Sequence, residues 1–190
     1  MKLGGNTTHW SLTIVASLAI ALILPAQRPA DSQPNAGLYV ANLNTSDIRQ
    51  FAPATNGNIS PTLTLTGAAT LLFAPNAIAV DAAGTAYVTN LATGPAGTGS
   101  ITVYAPGAAG NVSPSATISG VATLLAEPQG VAVDGAGDIY VANLSNIVTQ
   151  YAPGSNGNVA PIATISGPDT MLAGPDAIAL DSHGKIYVAN

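Results

Sequence analysis

At 190 residues the chain is long enough for one ordinary domain with a sizeable core, and its lack of cysteine removes both a disulfide framework and a thiolate metal site. Apolar residues make up 47% and charged residues only 7%, with 20 Gly and 14 Pro, a balance that favours many short strands joined by tight turns over disorder. The net charge is −5, and the four basic residues (Lys2, Arg28, Arg49 and Lys185) are scattered, so no patch exists to neutralise phosphates and nucleic acid is excluded as a partner.

The N-terminus differs in kind from the rest. Lys2 is followed by a polar stretch and then by an apolar run from Trp10 to Leu24, closed by Pro25-Ala26. A cation, a short apolar run and small residues at its end predict a hydrophobic leader helix that serves as a signal peptide over residues 1–26. The run is short for a spanning helix, which needs about 20 residues. Leu24 stands where a small residue is preferred for cleavage after Ala26, so an uncleaved N-terminal anchor is the alternative, and the only route to a membrane. Both readings place the remainder outside the cytoplasm, in the periplasm, at the cell surface or secreted. Residues 27–36 read as a polar linker, and residues 37–190 as repeats.

Three phrases recur. Leu38-Tyr-Val-Ala-Asn42 returns as Ala86-Tyr-Val-Thr-Asn90, Ile139-Tyr-Val-Ala-Asn143 and Ile186-Tyr-Val-Ala-Asn190, at spacings of 48, 53 and 47 residues. Pro75-Asn-Ala-Ile-Ala-Val-Asp81 returns as Pro128-Gln-Gly-Val-Ala-Val-Asp134 and Pro175-Asp-Ala-Ile-Ala-Leu-Asp181. An aromatic-Ala-Pro phrase followed by Gly-Asn starts at Phe51, Tyr104 and Tyr151. Each unit reads as four strands: Ala77–Val80, Ala86–Thr89, Ile101–Tyr104 and Ser115–Ile118 in the best-bounded copy. Pro and Gly fall between the runs, where they cost no ladder hydrogen bonds. A repeated four-stranded unit of this length predicts an all-β propeller of antiparallel blades, whose faces are buried by stacking.

The Ile-Ala-Val-Asp, Gly-x-Ile-Tyr-Val-Ala-Asn and Ile-x-x-Tyr-Ala-Pro phrases resemble those of the NHL-repeat propellers, over about residues 37–190. Members of that family commonly carry Asp where this chain has Asn42, Asn90, Asn143 and Asn190. Such propellers serve as binding platforms, enzymes and structural modules alike, so the resemblance implies a fold more than a function.

The strand count is incomplete. From residue 37 onward there are two whole blades, a three-strand start and a two-strand end, about three to three and a half blades in all. Either the chain is a piece of a longer reading frame, or two chains close one ring as a homodimer, with Ala177–Leu180 of one completing the three-strand start of the other.

Few residues remain for chemistry. His183 sits in a turn where sister copies have Ala83 and Ala136, and no nucleophile elbow is present. Asp81, Asp134 and Asp181 read as turn caps rather than a calcium ring. All six tyrosines hold repeat positions, which leaves no aromatic platform for stacking ligands. In a repeat, recurring residues build the frame, and residues that vary at a channel-facing place are candidates for function. The place before the inner strand carries Asn76, Gln129 and Asp176, and Glu127 is the single glutamate. Asn90 and Asn143 end neighbouring strands on the same rim. Oxygens of this kind suit calcium, and the resemblance implies a divalent ion at that end of the channel in lactonase-type and lyase-type relatives. Polar loops facing water are the simpler account, with no cofactor. The expected role is a non-catalytic module that binds a protein or small ligand at this rim, and a divalent-metal lactonase or lyase is the alternative.

Overall fold

The computed structural model describes residues 18–21, 37–91 and 98–190. Its strands are β1 (Leu18–Ala21), β2 (Leu38–Asn42), β3 (Asp47–Phe51), β4 (Leu63–Leu65), β5 (Pro75–Val80), β6 (Ala86–Asn90), β7 (Ser100–Tyr104), β8 (Ala116–Ser119), β9 (Pro128–Val133), β10 (Ile139–Asn143), β11 (Ile147–Tyr151), β12 (Ala163–Ser166), β13 (Ala177–Leu180) and β14 (Ile186–Ala189). They form three antiparallel sheets of four strands, each in chain order, and a two-stranded sheet of β13 and β14. The described helical segments are single 3₁₀ turns at Ala68–Thr70, Val121–Thr123 and Pro168–Thr170.

The leader is where expectation and structure part. Most of residues 1–26, and the linker 27–36, lie outside the described residues. The four that are described, Leu18–Ala21, are a strand and not a helix. They pair with β2 in the register Ala19↔Ala41, Ile20↔Val40 and Ala21↔Tyr39. The pairing takes up backbone groups that the inner edge of β2 would otherwise leave open. The three-strand start counted from residue 37 is therefore a four-strand sheet here.

Two of the recurring phrases make one device. Asp81 Oδ1 accepts the amides of Ala83 and Thr85, both at 2.9 Å, and closes the turn between β5 and β6. Its Oδ2 accepts the Tyr87 hydroxyl at 3.3 Å, from the middle of β6. Asp134 and Tyr140 repeat this arrangement, as do Asp181 and Tyr187. The aspartates are turn caps, as their Asp-x-x-Gly setting implies.

The apolar cores lie between sheets rather than within them. Ile48 and Leu65 of the first sheet meet Ile78, Val88 and Tyr104 of the second, with Leu72 between. Ile101 and Ile118 of the second meet Val131, Val141 and Tyr151 of the third, with Leu125 between. Each such side chain contributes about 1.5–3 kcal/mol by leaving water. The inner strands follow one another around a common axis, β9 packing against both β5 and β13.

The third phrase fastens the seams from outside. The loop after β7 reaches back to β4, where Gly110 N donates to Thr64 O at 2.8 Å and Thr66 N donates to Gly110 O at 3.0 Å. The loop after β11 does the same to β8 through Gly157, Thr117 and Ser119. Asn111 and Asn158 then accept the amides of Ala69 and Ala122, both at 2.8 Å. Each clasp covers an outer strand whose edge would otherwise stand open.

Near the axis, β9 and β13 approach closely at Gly130. A Cβ there would lie 2.8 Å from Ile178 N and 2.9 Å from Ala177 Cα, backbone atoms that cannot swing aside. Gly130→Ala is expected to lower stability by about 1–3 kcal/mol, read as a lower urea midpoint. Gly135→Ala, where a Cβ meets nothing within 4 Å, is the control. Equal midpoints for the two variants would refute the close approach.

Candidate functional site

The connectors between sheets share one construction. In each, a threonine hydroxyl donates to a glycine carbonyl three residues earlier, at 2.6 Å, in Thr70–Gly67, Thr123–Gly120 and Thr170–Gly167. The same oxygens accept the amides of Leu72, Leu125 and Leu172 at 3.3 Å. The intervening residue, Leu71, Leu124 or Met171, is driven to a φ of 58°, 59° or 55° and turns its side chain outward. These three are 52%, 49% and 83% exposed, which is unusual for residues that recur in a framework.

Tyrosines clamp the connectors from below. The Tyr104 hydroxyl donates to Thr70 O, and that of Tyr151 donates to Thr123 O, both at 2.5 Å. Burial pushes both phenols up to about 12, against the smaller opposing pull of nearby threonine hydrogen bonds. Phe51, at the matching place in the first sheet, has no hydroxyl to give.

The candidate rim residues divide into three groups. Asn90 and Asn143 are fully buried and hydrogen-bonded through both ends of their amides. Asn90 Oδ1 accepts Phe73 N at 3.0 Å while its Nδ2 donates to Thr102 Oγ1 at 3.1 Å. Asn143 does the same with Ala126 N and Thr149 Oγ1. They belong to the frame and offer no open ligand.

Asn76 and Gln129 sit on β-bulges. Between β5 and β6 the pairs Pro75↔Asn90 and Ile78↔Val88 leave one extra residue on β5. Between β9 and β10 the pairs Pro128↔Asn143 and Gly130↔Ala142 leave Gln129 extra. The structure brings these two residues together, Asn76 Nδ2 donating to Gln129 Oε1 at 2.8 Å and to Gln129 O at 3.1 Å. Bulges recur beside functional sites because they re-aim a side chain.

Asp176 and Glu127 stand apart. Asp176 is exposed just before β13, its amide held by Ala189 O at 2.8 Å. Glu127 is exposed at the end of its connector with φ 52°, where the sister positions are Ala74 and Gly174. Among the described residues no three His, Cys, Asp or Glu side chains gather as a metal site would need.

Beside Glu127 opens a groove of about 620 Å³, which residue patterns alone did not reveal. Leu124, Leu125 and Ala126 form one wall, Ser145–Ile147 the floor loop, and Ser166–Pro168 with Leu172 the other wall. The signal for it was the phrase Thr-Leu-Leu, repeated at 70 and 123 and as Thr-Met-Leu at 170. Glu127, Asp169 and Asp176 give this end of the molecule an acidic rim, whereas Lys185 lies in the turn between β13 and β14 at the other end.

No family model and no curated protein matches the chain. Among solved structures it is similar to a streptogramin B lyase, with a TM-score of 0.57 at 14% identity over 82% of this chain and 45% of that one. It is also similar to a chain in apo ctPRC2 in an autoinhibited state, with a TM-score of 0.53 at 14% identity over 80% of this chain and 32% of that one. The fold is that of a β-propeller. The chain spans less than half the length of either neighbour, and its three four-stranded sheets are blades.

Because the Tyr151 clamp holds the groove wall, Tyr151→Phe is expected to cost about 1–2 kcal/mol by leaving Thr123 O without its donor. The pH response has a definite sign. Below the ordinary phenol value of 10.0 both folded and unfolded chains are protonated, and stability is full. Above it the unfolded chain loses its proton first, so stability falls as pH rises from about 10 to about 12. Urea melts across that range check this, with Tyr104→Phe/Tyr151→Phe flattening the fall. An equally steep fall in the double variant would refute it.

Proposed function

We propose that the chain is a set of NHL-like propeller repeats acting as a non-catalytic, extracytoplasmic module that binds a protein segment or a small ligand on its connector end. The observation that carries this reading is the division of labour among polar groups. Asp81, Asp134, Asp181, Asn90, Asn143 and the connector threonines are all consumed by the frame. What faces outward at the connector end is an apolar-walled groove whose Leu124–Ala126 wall runs directly into the exposed Glu127.

The chemistry of that end selects the ligand. Leu124 and Leu172 favour an apolar body, and the carboxylates of Glu127 and Asp169 favour a cation or hydrogen-bond donor. An apolar amine, or a peptide segment carrying Lys or Arg, meets both demands.

A titration followed by backbone NMR tests the site. Apolar fragments bearing an amine are expected to shift the Leu124, Ser145, Asn146 and Leu172 amides together. Carboxylate-bearing counterparts leave them still, and Glu127→Gln weakens the amine about two- to fivefold. Absence of any shift in the groove would sink the ligand assignment. Calcium moving the Asn76, Gln129 and Asp176 amides would favour a divalent-metal lactonase or lyase instead.

Export is a separate expectation, motivated by the apolar run and Pro25-Ala26. Expressed in a bacterial host, the protein should leave the cytoplasm and begin at Gln27 by mass spectrometry. A full-length cytoplasmic product would remove the location from the proposal. Cleavage there also removes β1 and reopens the inner place of the first blade.

A further inference from the structure

The clasp that fastens one blade to the next has an unused half at each side of the described structure. The loop after β3 is built like its two sisters. Asn56-Gly57-Asn58 matches Asn156-Gly157-Asn158, and Gly57 has φ 78° against 79° for Gly157. In contrast with Gly110 and Gly157, however, it fastens to no strand among the described residues.

The complementary acceptor is open as well. Ala163-Thr-Ile-Ser-Gly167 repeats Ala116-Thr-Ile-Ser-Gly120 residue for residue. At Gly120 a Cβ would lie 2.5 Å from Asn158 Oδ1, whereas at Gly167 it meets nothing within 4 Å. Ile165 is 39% exposed, while its sisters Leu65 and Ile118 are 3% and 0% exposed. The chain thus displays, unjoined, the same donor and acceptor sequences that it joins internally between β8 and the loop after β11.

We propose that a second copy of this chain seats its Asn56–Asn58 loop on β12, with Asn58 accepting the amide of Asp169. Seating the loop as it is seated internally puts the second copy's first blade where β13 and β14 lie. The two therefore share one blade, in which β13 keeps the inner place and the second copy supplies β2, β3 and β4. The displaced strands are β14 and the second copy's β1, and the residues permit the exchange. The Ala177-Ile-Ala179 segment of β13 faces Ala189, Val188 and Tyr187. The Ala19-Ile-Ala21 segment of β1 faces Ala41, Val40 and Tyr39. One Ala-Ile-Ala replaces another in the same register against the same Tyr-Val-Ala.

The contact joins different surfaces of the two copies, so making it twice closes a two-chain ring. Such a ring holds four whole blades and two shared ones, within the range of known propellers. Because Ser166, Gly167 and Pro168 also form one wall of the groove, a second copy seated there and a ligand in the groove compete for that wall.

Sedimentation velocity of the full chain tests it. The wild type is expected to sediment as a dimer that dissociates on dilution. Asn58→Ala removes the acceptor, and Ser166→Pro removes the exposed amide whose sister, Ser119 N, donates to Gly157 O at 3.1 Å. Each variant should raise the half-dissociation concentration at least about tenfold. An equimolar mixture of the two retains one intact contact per pair, and should fall between wild type and either variant. Both positions are exposed and outside the buried seams, so at a dilution where wild type is dissociated as well the urea midpoints of the variants should match it and report folding separately. The chain has no cysteine, so Asn58→Cys/Asp169→Cys with a short bifunctional thiol reagent should give a covalent dimer, and each single variant should not. A wild type that stays monomeric, or a cross-link formed within one chain, would overturn the proposal.

Discussion

A four-stranded sheet with apolar side chains on both faces must be covered twice, and everything else in this chain follows from how that is done. The seam between the first two blades removes Ile48, Leu65, Ile78 and Val88 from water, and the next removes Ile101, Ile118, Val131 and Val141. At about 1.5–3 kcal/mol for each such residue, these seams are the main favourable term in the described structure. The Asp–Tyr turns and Gly-Asn clasps add directional bonds of about 1 kcal/mol each. Their larger effect is on geometry. The clasps tie each outer strand to the loop of the next sheet, and the turns join the two inner strands.

Such a frame consumes most of its polar side chains. Asn90 and Asn143 look like rim ligands when only their place at a strand end is considered. Fully buried, each would leave amide groups without partners unless the frame satisfied them, at a cost of about 1–3 kcal/mol per group. Threonines 102 and 149 and the connector amides supply those partners. Function is pushed to places where the frame is indifferent to residue type. The bulged position is one, because its extra residue has no ladder partner to match. The outward residue of each connector turn is another, because its left-handed conformation points the side chain away from the seam.

The fold was legible because propeller strands are short, bounded and repeated. Pro75, Asp81 and Gly84 bracket one inner strand and its turn, and the same brackets return around β9 and β13. The role of the third phrase was not legible, since the partner of Gly110 lies on β4, in a different repeat. Nor was the leader strand. Leu18–Ala21 sits in an apolar run that suits a helix by composition, and its strand state depends on the open edge of β2 and on the neighbouring β5. Of the site residues, Asn76 and Gln129 were legible as variants at a repeated place, and the structure explains their variability by the bulge. The groove was hidden for the opposite reason. Leu71, Leu124 and Met171 recur, and recurrence reads as framework, yet all three are exposed.

That exception refines how a repeat should be interpreted. A residue recurs either because a seam needs its side chain or because a turn needs its backbone, and only the first kind is buried. Leu124 belongs to the second kind, kept at φ 59° by a turn whose closure uses Thr123 and Gly120. The side chain at such a place is free to serve another purpose, and apolar side chains held outward beside a 620 Å³ groove are costly to leave in water unless something covers them. The inner strands show the converse. Ala-Ile-Ala pairs with Tyr-Val-Ala in the same register in β1 and in β13 alike, so that register does not distinguish one strand from the other. Identity at the axis comes instead from Gly130, whose missing side chain lets β13 approach where a Cβ would block it. In this chain the specific information lies in what the glycines and turn residues allow, and the apolar repeats supply the adhesion that any blade can share.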